Sequence, residues 1–422
     1  MNNDVLPKKK IGKIFIGLGI FLFPLFSCLY VVSINSDGLI SETLSLPVLF
    51  IAVLSFILLV CGIYFVKTGK DVSKVKIRLP FKVILGVLAF CWVVGGYTVL
   101  GLLYLPGTGF KDWLITTAMT TMTHQYYATW FYDEYDVNLV LANNSVVESG
   151  EDSNPDLINF SEPNFNQTTY KNEFERQILT KDEGNDVYKI IDIERDGFRG
   201  KMAVIYDPSK VKLGVSKGIG TSLGDSYGQY ITEIASRYNA SIAINAGGFY
   251  DPDWNSTGGV PHGPVISDGK LVTNFRKIGM NGGIIGFNKD NKLILSRMSA
   301  QEALDAGIRD AVDFGPFLIV NGKPSFIKGN GGWGTAPRSA IAQREDGIVL
   351  LLAIDGRQVG SQGADLVQMT EVLQDYGAIN AANLDGGTST AMELNGQIIT
   401  NPRNGNFQAK TRPVPNAWIV VK

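Results

Sequence analysis

Only three cysteines occur in 422 residues, Cys28, Cys61 and Cys91, so the rest of the chain has no disulfide to staple it. It must be held by a core of its own. A cysteine-free exported region also fits a bacterial surface better than the endoplasmic reticulum. Histidine is scarcer still, with only His124 and His262, so no His/Cys cluster has the spacing of a zinc site. Excess positive charge is missing too. Residues 112–422 hold 27 Lys+Arg against 36 Asp+Glu, whereas a nucleic-acid binder shows the opposite sign.

Charge is nearly absent from three long stretches, residues 11–34, 44–66 and 81–105. Each is long enough to cross a bilayer as a helix, which takes about 20 apolar residues. The first follows Lys8, Lys9 and Lys10. It is too long for a signal peptide and has no small-residue cleavage site after it, so it reads as a signal anchor. The 35–43 loop carries only Asp37 and Glu42, while the 67–82 loop carries Lys67, Lys70, Lys74, Lys76, Arg78 and Lys82. Basic loops stay in the cytoplasm. The pattern predicts a multi-pass protein of the cell membrane with three transmembrane α-helices in residues 1–105, a cytoplasmic N-terminus and everything after Leu105 outside.

Residues 106–186 read as an interfacial segment followed by a polar linker. Trp113, Tyr126, Tyr127, Trp130 and Phe131 suit the membrane–water boundary. From about 142 to 185 the chain is rich in Asn, Asp, Glu and Ser, a tether with a partial helix near FERQIL.

From Val187 onward short strand patterns alternate with turns, as in VYKIIDIERDGF, SIAINAGG, GIVLLLAIDG and NAWIVVK. Asn321-Gly322, Asp346-Gly347 and Asn395-Gly396 read as hairpin turns. Helical periodicity appears at about 225–239 and 363–376. The expected fold class is α+β, a mixed sheet with βα units and hairpins over residues 187–422. A repeat is concealed in it. ITEIASRYNASIAINAGG aligns with MTEVLQDYGAINAANLDGG, matching Thr232 to Thr370, Glu233 to Glu371, Tyr238 to Tyr376 and Asn245 to Asn383. It predicts that Asn245 and Asn383 end equivalent strands.

The strand ends concentrate chemistry. One strand ends at Asp355, a helix follows, and the next strand ends at Asn383–Asp385. A right-handed crossover between parallel strands brings both acids to one edge of the sheet, where such folds bind ligands. Gly247, Gly248, Gly386 and Gly387 would let backbone approach a ligand, and the Thr388 and Ser389 hydroxyls would donate to an anion or a sugar.

Six ordered blocks, AINAGGFYDP, GPFLIVNGK, TAPRSAIA, AIDGR, NLDGGTSTAM and RPVPNAWIV, resemble the phosphodiester glycosidase family, whose bacterial members include exopolysaccharide-biosynthesis proteins. The resemblance covers about 187–422. It departs at Thr388, where family members often carry a third glycine. It implies hydrolysis between an anomeric carbon and a phosphodiester oxygen, acting on a glycan or cell-envelope polymer. The leaving group is then a phosphate monoester with a last pKa of about 6, which departs with an arginine clamp in place of a full general acid. On this reading Asp385 is the general base or nucleophile. Arg338 is the first choice of clamp, Arg357 and Arg412 also bind substrate, and His262 is a proton donor. Asp355 orients Arg357 or binds sugar hydroxyls, and Asn245 and Asn383 bond the sugar or hold the loops.

Two motifs are weaker. GIGTSLG at 218–224 lacks the spacing of a dinucleotide loop. DPDWNSTGG places Asp251, Asp253 and Asn255 like the start of a calcium loop but lacks its Gly and Glu, so no cofactor is required and calcium is the one ion left open. The alternatives to a glycosidase are a silent polysaccharide-binding module and a metal-dependent phosphoesterase.

Overall fold

The computed structural model describes residues 94–422 except 106, 108, 122–123, 161–164, 166, 252–255 and 276–281, with shorter pieces inside 16–27 and 51–63. The stretches expected to span a membrane therefore fall largely outside the described residues. Among those described, no helix is long and apolar enough to cross a membrane.

The chain divides into two compact units, the first ending at Ala142 and the second comprising Thr120–Thr123 and Asn143–Lys422. In the first, the segment expected to be merely interfacial is helical: α1 (Phe110–Met119), α2 (Tyr126–Thr129) and α3 (Glu134–Asn143). Ile115, Ala118, Ala128, Tyr132, Val137 and Val140 form a small buried core there. Trp113, Tyr126, Tyr127 and Trp130 remain exposed.

The second unit opens with β1 (Ser145–Val147) and α4 (Glu173–Leu179). The polar stretch expected as a tether is in fact packed down. Ile158, Ile178 and Leu179 are buried, and Ser153 and Asn159 donate backbone N–H groups to Leu295 and Glu345. A few isolated apolar residues suffice to dock a mostly polar segment, because each buried side chain stabilises by roughly 1.5–3 kcal/mol.

There follow β2 (Tyr188–Arg195), β3 (Phe198–Ile205), β4 (Val211–Val215), α5 (Ile231–Arg237), β5 (Ala240–Asn245), β6 (Gly263–Ser267), β7 (Lys270–Phe275), β8 (Gly283–Asn288) and β9 (Leu293–Ser296). Then come α6 (Ala300–Asp305), β10 (Ile308–Phe314), β11 (Phe317–Val320), β12 (Lys323–Pro324), β13 (Phe326–Lys328), β14 (Arg338–Arg344) and β15 (Val349–Ile354). The chain closes with α7 (Leu366–Asp375), β16 (Ala378–Asn383), β17 (Met392–Leu394), β18 (Gln397–Ile398) and β19 (Asn416–Val421).

Three sheets result, ordered β12-β11-β16-β14-β15-β3-β2, β18-β17-β5-β19-β4 and β7-β6-β10-β8-β9, with β1 pairing β13 in a short ribbon. One core joins the inner faces of all three, among them Ile205, Ile244, Phe287, Leu351 and Trp418. The outer face of the seven-stranded sheet packs on α7 through Leu366, Met369, Val372 and Leu373. Ile231 and Ile234 of α5 cover the second sheet, and Ala303 of α6 covers the third. Coverage on both faces explains why β15 reads VLLLAI with no polar alternation.

The repeat is structural. α5 leads into β5 and α7 into β16, and Asn245 and Asn383 are the last residues of those strands. Tyr238 and Tyr376 cap the two helices in nearly the same conformation, with φ −94° and −85° and ψ 5° and 6°. The first helix is shorter than the periodicity suggests. Gln229 pairs with Val414 instead, and a Cβ at Gly228 would stand 2.6 Å from the Gly258 carbonyl oxygen, so this backbone is held by its neighbours outside any helix.

The crossover from β15 through α7 to β16 also differs in one respect. The strands do run the same way, but β14 lies between them, antiparallel to both. Arg338 pairs with Ile354 and Ala340 with Asn383, so the start of β14 and the ends of β15 and β16 form a single rim.

Candidate active site

The two repeat loops meet at this rim. The Asp385 N–H donates to the Ala246 carbonyl at 2.9 Å, and Asn245 Nδ2 donates to the Asp385 carbonyl. Asn245 Oδ1 accepts from Ser339 Oγ at 2.8 Å and from the Ala391 N–H at 3.3 Å. Asn245 is therefore a buried clasp that holds the Asp385 loop, the second of the two roles expected for it. Asn383 Nδ2 likewise donates to the Gly315 carbonyl at 2.9 Å.

Asp385 is partly accessible, yet its Oδ2 is covered and has no hydrogen-bond partner among the described residues. Its Oδ1 accepts the Gly386 N–H at 3.0 Å. Burial pushes this carboxyl above its ordinary value. Arg412, the Ser389 hydroxyl and the Gly386 N–H pull it back, and Asp251 pushes it up. Ser389 is near enough to act on it without closing a hydrogen bond of full geometry. Ser389 Oγ, Thr390 Oγ1 and Asn383 Oδ1 are also buried without a hydrogen-bond partner among the described residues. Four orphaned polar atoms in eight consecutive residues are unusual, since buried polar groups are nearly always bonded.

Arg357 and Arg412 supply the positive charge. Arg412 Nη1 donates to Asp251 Oδ2 at 2.9 Å, and its guanidinium carbon stands 4.1 Å from the centre of the Phe249 ring. Arg357 Nη1 donates to Thr388 Oγ1 at 3.2 Å and to the Arg403 carbonyl at 3.4 Å. Among the described residues Arg357 forms no ion pair with a carboxylate. Burial lowers its affinity for its own proton, and the neighbouring Arg412 lowers it further. The Arg357 backbone adopts φ 59°, a region few residues other than glycine enter.

Arg338 shares the rim, with two of its three nitrogens held by backbone carbonyls and Nη1 on the Gly386 side. Its Nε donates to the Ala364 carbonyl at 3.1 Å, and its Nη2 donates to the Trp333 carbonyl at 2.6 Å and to the Gly334 carbonyl. It is 3% exposed, and burial pushes its guanidinium down to about 10, countered by Asp365 and reinforced by Arg357. It is a pin for the loop before β14. Asp355 is also occupied: its Oδ1 accepts the Asn401 N–H at 2.7 Å, and burial raises its carboxyl while that bond, Lys201 and Arg403 oppose the rise.

The glycines serve packing more than ligand approach. A Cβ at Gly248 would stand 2.5 Å from the Phe314 ring, one at Gly247 would stand 3.1 Å from Val312, and one at Gly386 would stand 2.9 Å from the Pro337 carbonyl oxygen. Gly387 differs. It has φ 61°, and a Cβ there would stand 3.1 Å from Arg357 Nη2, so its bareness leaves room for the guanidinium. His262 is buried on the Gly248 side, its N–H donating to the Gly248 carbonyl at 2.9 Å and its ring edge-on to Tyr250.

Three residues of the site were not foreseen in these roles: Asp251, Ser339 and Asn416, whose Oδ1 accepts the Gly247 N–H at 2.8 Å. Asp251 stands in the would-be calcium loop, whose Asp253 and Asn255 lie outside the described residues; the Asp251 carboxylate faces Arg412 and the Ser256 N–H. Among the described residues no group of three His, Cys, Asp or Glu side chains is arranged to hold a metal.

The phosphodiester glycosidase family model matches residues 238–421, which include both repeat loops and Asp385, Arg357 and Arg412. In this stretch the chain resembles the phosphodiester glycosidases. It is 30% identical over 190 residues to the SPbeta prophage-derived uncharacterized protein YomE of Bacillus subtilis (strain 168), covering 43% of this chain and 28% of that protein. It is 27% identical over 157 residues to the N-acetylglucosamine-1-phosphodiester alpha-N-acetylglucosaminidase of Mus musculus, covering 33% of this chain and 30% of that enzyme. The chain thus spans less than a third of the length of these curated relatives. Among solved structures, the zebrafish N-acetylglucosamine-1-phosphodiester alpha-N-acetylglucosaminidase catalytic domain, auto-inhibited by its pro-peptide, aligns with a TM-score of 0.47 and 23% identity over 57% of this chain and 86% of that one. The matched stretch begins inside the second structural unit, so β1 to β4, α4 and α5 belong to the same packed body while preceding it.

Proposed function

We propose that this protein is a membrane-anchored hydrolase of sugar-1-phosphodiesters in a glycan or cell-envelope polymer, with its phosphodiester glycosidase domain facing outward. The observation that carries the reading is Arg357 bonded to Thr388 Oγ1 and seated beside Gly387, on the loop bearing Asp385, with Arg412 acting on the same carboxyl. In the proposed reaction the bond between the anomeric carbon and the bridging oxygen breaks, and its electron pair leaves with the phosphate. Arg357 and Arg412 stabilise the growing negative charge. Water supplies the new bond to the anomeric carbon, and Asp385 in its ionised form takes the proton that water releases. The products are free sugar and a phosphate monoester.

Hydrolysis by the full-length protein in water enriched in heavy oxygen tests this. The label is expected in the sugar, with activity unchanged by chelator. Label in the phosphate, with activity lost to chelator, would identify a metal-dependent phosphoesterase instead. Binding of the same substrates without release of sugar would identify a silent polysaccharide-binding module.

The anchor rests on the three apolar runs and on the contrast between the acidic 35–43 loop and the basic 67–82 loop. Protease added to intact cells is expected to remove the domain while sparing an epitope placed in the 67–82 loop. Protection of the domain would reverse the orientation.

A further inference from the structure

A cavity of about 330 Å³ opens beside the rim, lined by Ser145, Glu148, Arg297, Gly315, Gly332 and Trp333 among others. It falls at the lower end of the roughly 300–1,000 Å³ range of small-molecule sites. Two hydrogen bonds fasten its wall to the residues described above. Asn383 Nδ2 donates to the Gly315 carbonyl at 2.9 Å, and Arg338 Nη2 donates to the Trp333 carbonyl at 2.6 Å. The Phe314 ring joins the two places, because it packs edge-on to Trp333 at 6.0 Å and fills the space beside Gly248.

The charge of the cavity differs from that of the rim. Arg297 pairs with Glu148 Oε2, and Glu148 Oε1 accepts the Phe317 N–H at 3.1 Å. The one cation and the one anion cancel. No uncompensated guanidinium of the Arg357 kind is present to call for a phosphate. What remains is a half-exposed indole, a glycine-lined wall and a balanced set of donors and acceptors. A neutral polyol fits such a place, with the apolar face of a sugar ring against the indole and its hydroxyls toward Glu148 and Arg297.

We infer that the cavity walled by Trp333, Glu148 and Arg297 binds a neutral sugar unit of the substrate glycan next to the unit whose phosphodiester bond is cut. The inference rests on the proposed hydrolase reading and narrows it to a glycan substrate longer than one sugar.

The test compares the full-length protein with its Trp333→Ala and Trp333→Phe variants. The substrates are a monosaccharide-1-phosphodiester and a disaccharide-1-phosphodiester, each as the methyl ester. Trp333→Ala is expected to raise KM for the disaccharide about tenfold more than KM for the monosaccharide, with kcat for the two affected alike, and Trp333→Phe is expected to restore most of the difference. Equal effects on both substrates would overturn the subsite. A second measurement stands apart from catalysis: retention of Asp385→Asn protein on an array of neutral oligosaccharides two to six units long. Binding that disappears in the Asp385→Asn, Trp333→Ala double variant supports the subsite even where no substrate is hydrolysed. An array with no retained glycan overturns it.

Discussion

Asp385→Asn is expected to lower kcat by about 10²- to 10⁴-fold, the usual contribution of a positioned acid–base group, while making the protein more resistant to heat at neutral pH. The two effects have one cause. Burial holds the Asp385 carboxyl above its ordinary value despite the opposing Arg412. Its charged form is therefore worse off in the fold than in the unfolded chain. Between the unfolded pKa and the raised folded pKa the native state holds the proton more tightly, so stability falls as pH rises through that window and stays lower above it. Asparagine carries no charge and keeps an oxygen for the Gly386 N–H, so it removes the penalty. The gain in melting temperature should vanish below the ordinary carboxylate range, where the wild-type residue is protonated in both states. As a base, Asp385 must be ionised to work. The wild-type kcat/KM should accordingly decline with acidification at a pH above the usual carboxylate range near 4. A variant that melts lower than wild type at neutral pH, or one that keeps its activity, would contradict this account.

Arg357→Ala is expected to cost about 10²- to 10³-fold in kcat, the effect of deleting one preorganised donor to a developing oxyanion, with only partial recovery in Arg357→Lys. Lysine restores the charge but not the planar guanidinium, whose Nη1 donates to Thr388 Oγ1 and the Arg403 carbonyl while its Nη2 stands beside Gly387. Arg338→Ala makes the contrast. It strips the donor from the Ala364, Trp333 and Gly334 carbonyls, and should lower stability by roughly 3 kcal/mol through those unpaired groups. Kinetics and thermal melts on the same preparations separate the two. Loss of stability without loss of kcat in Arg357→Ala, or the reverse in Arg338→Ala, would exchange their roles.

Arg338 and Arg357 differ in a way that local sequence does not carry. Arg338 stands between small residues just before a strand, and that setting does predict burial. It does not say whether a buried guanidinium faces a ligand or backbone carbonyls, because those carbonyls belong to residues four to twenty-six positions away, in two different loops. Asn245 and Asn383 were legible as equivalent strand ends, since the repeat fixes both a helix and the strand after it. Asp251 shows in the sequence only as the start of an incomplete calcium-like loop, because its partner, Arg412, is 161 residues distant. β6 and β10 are hard to read from sequence for another reason. Glycine and proline open β6, and Asp310 and Asp313 interrupt the apolar pattern of β10. Burial of those acids is a tertiary fact, invisible in local hydropathy.

Asn245 in one copy of the repeat holds the backbone of Asp385 in the other, and Ala246 receives the N–H of that same residue. The Asp385 loop is thus propped by the twin of the unit it belongs to. A proteolytic piece containing a single copy has no weak version of this centre to display, since the prop and the carboxylate arrive on different halves. Turnover should appear during refolding only when both halves have docked, later than any signal from either helix alone.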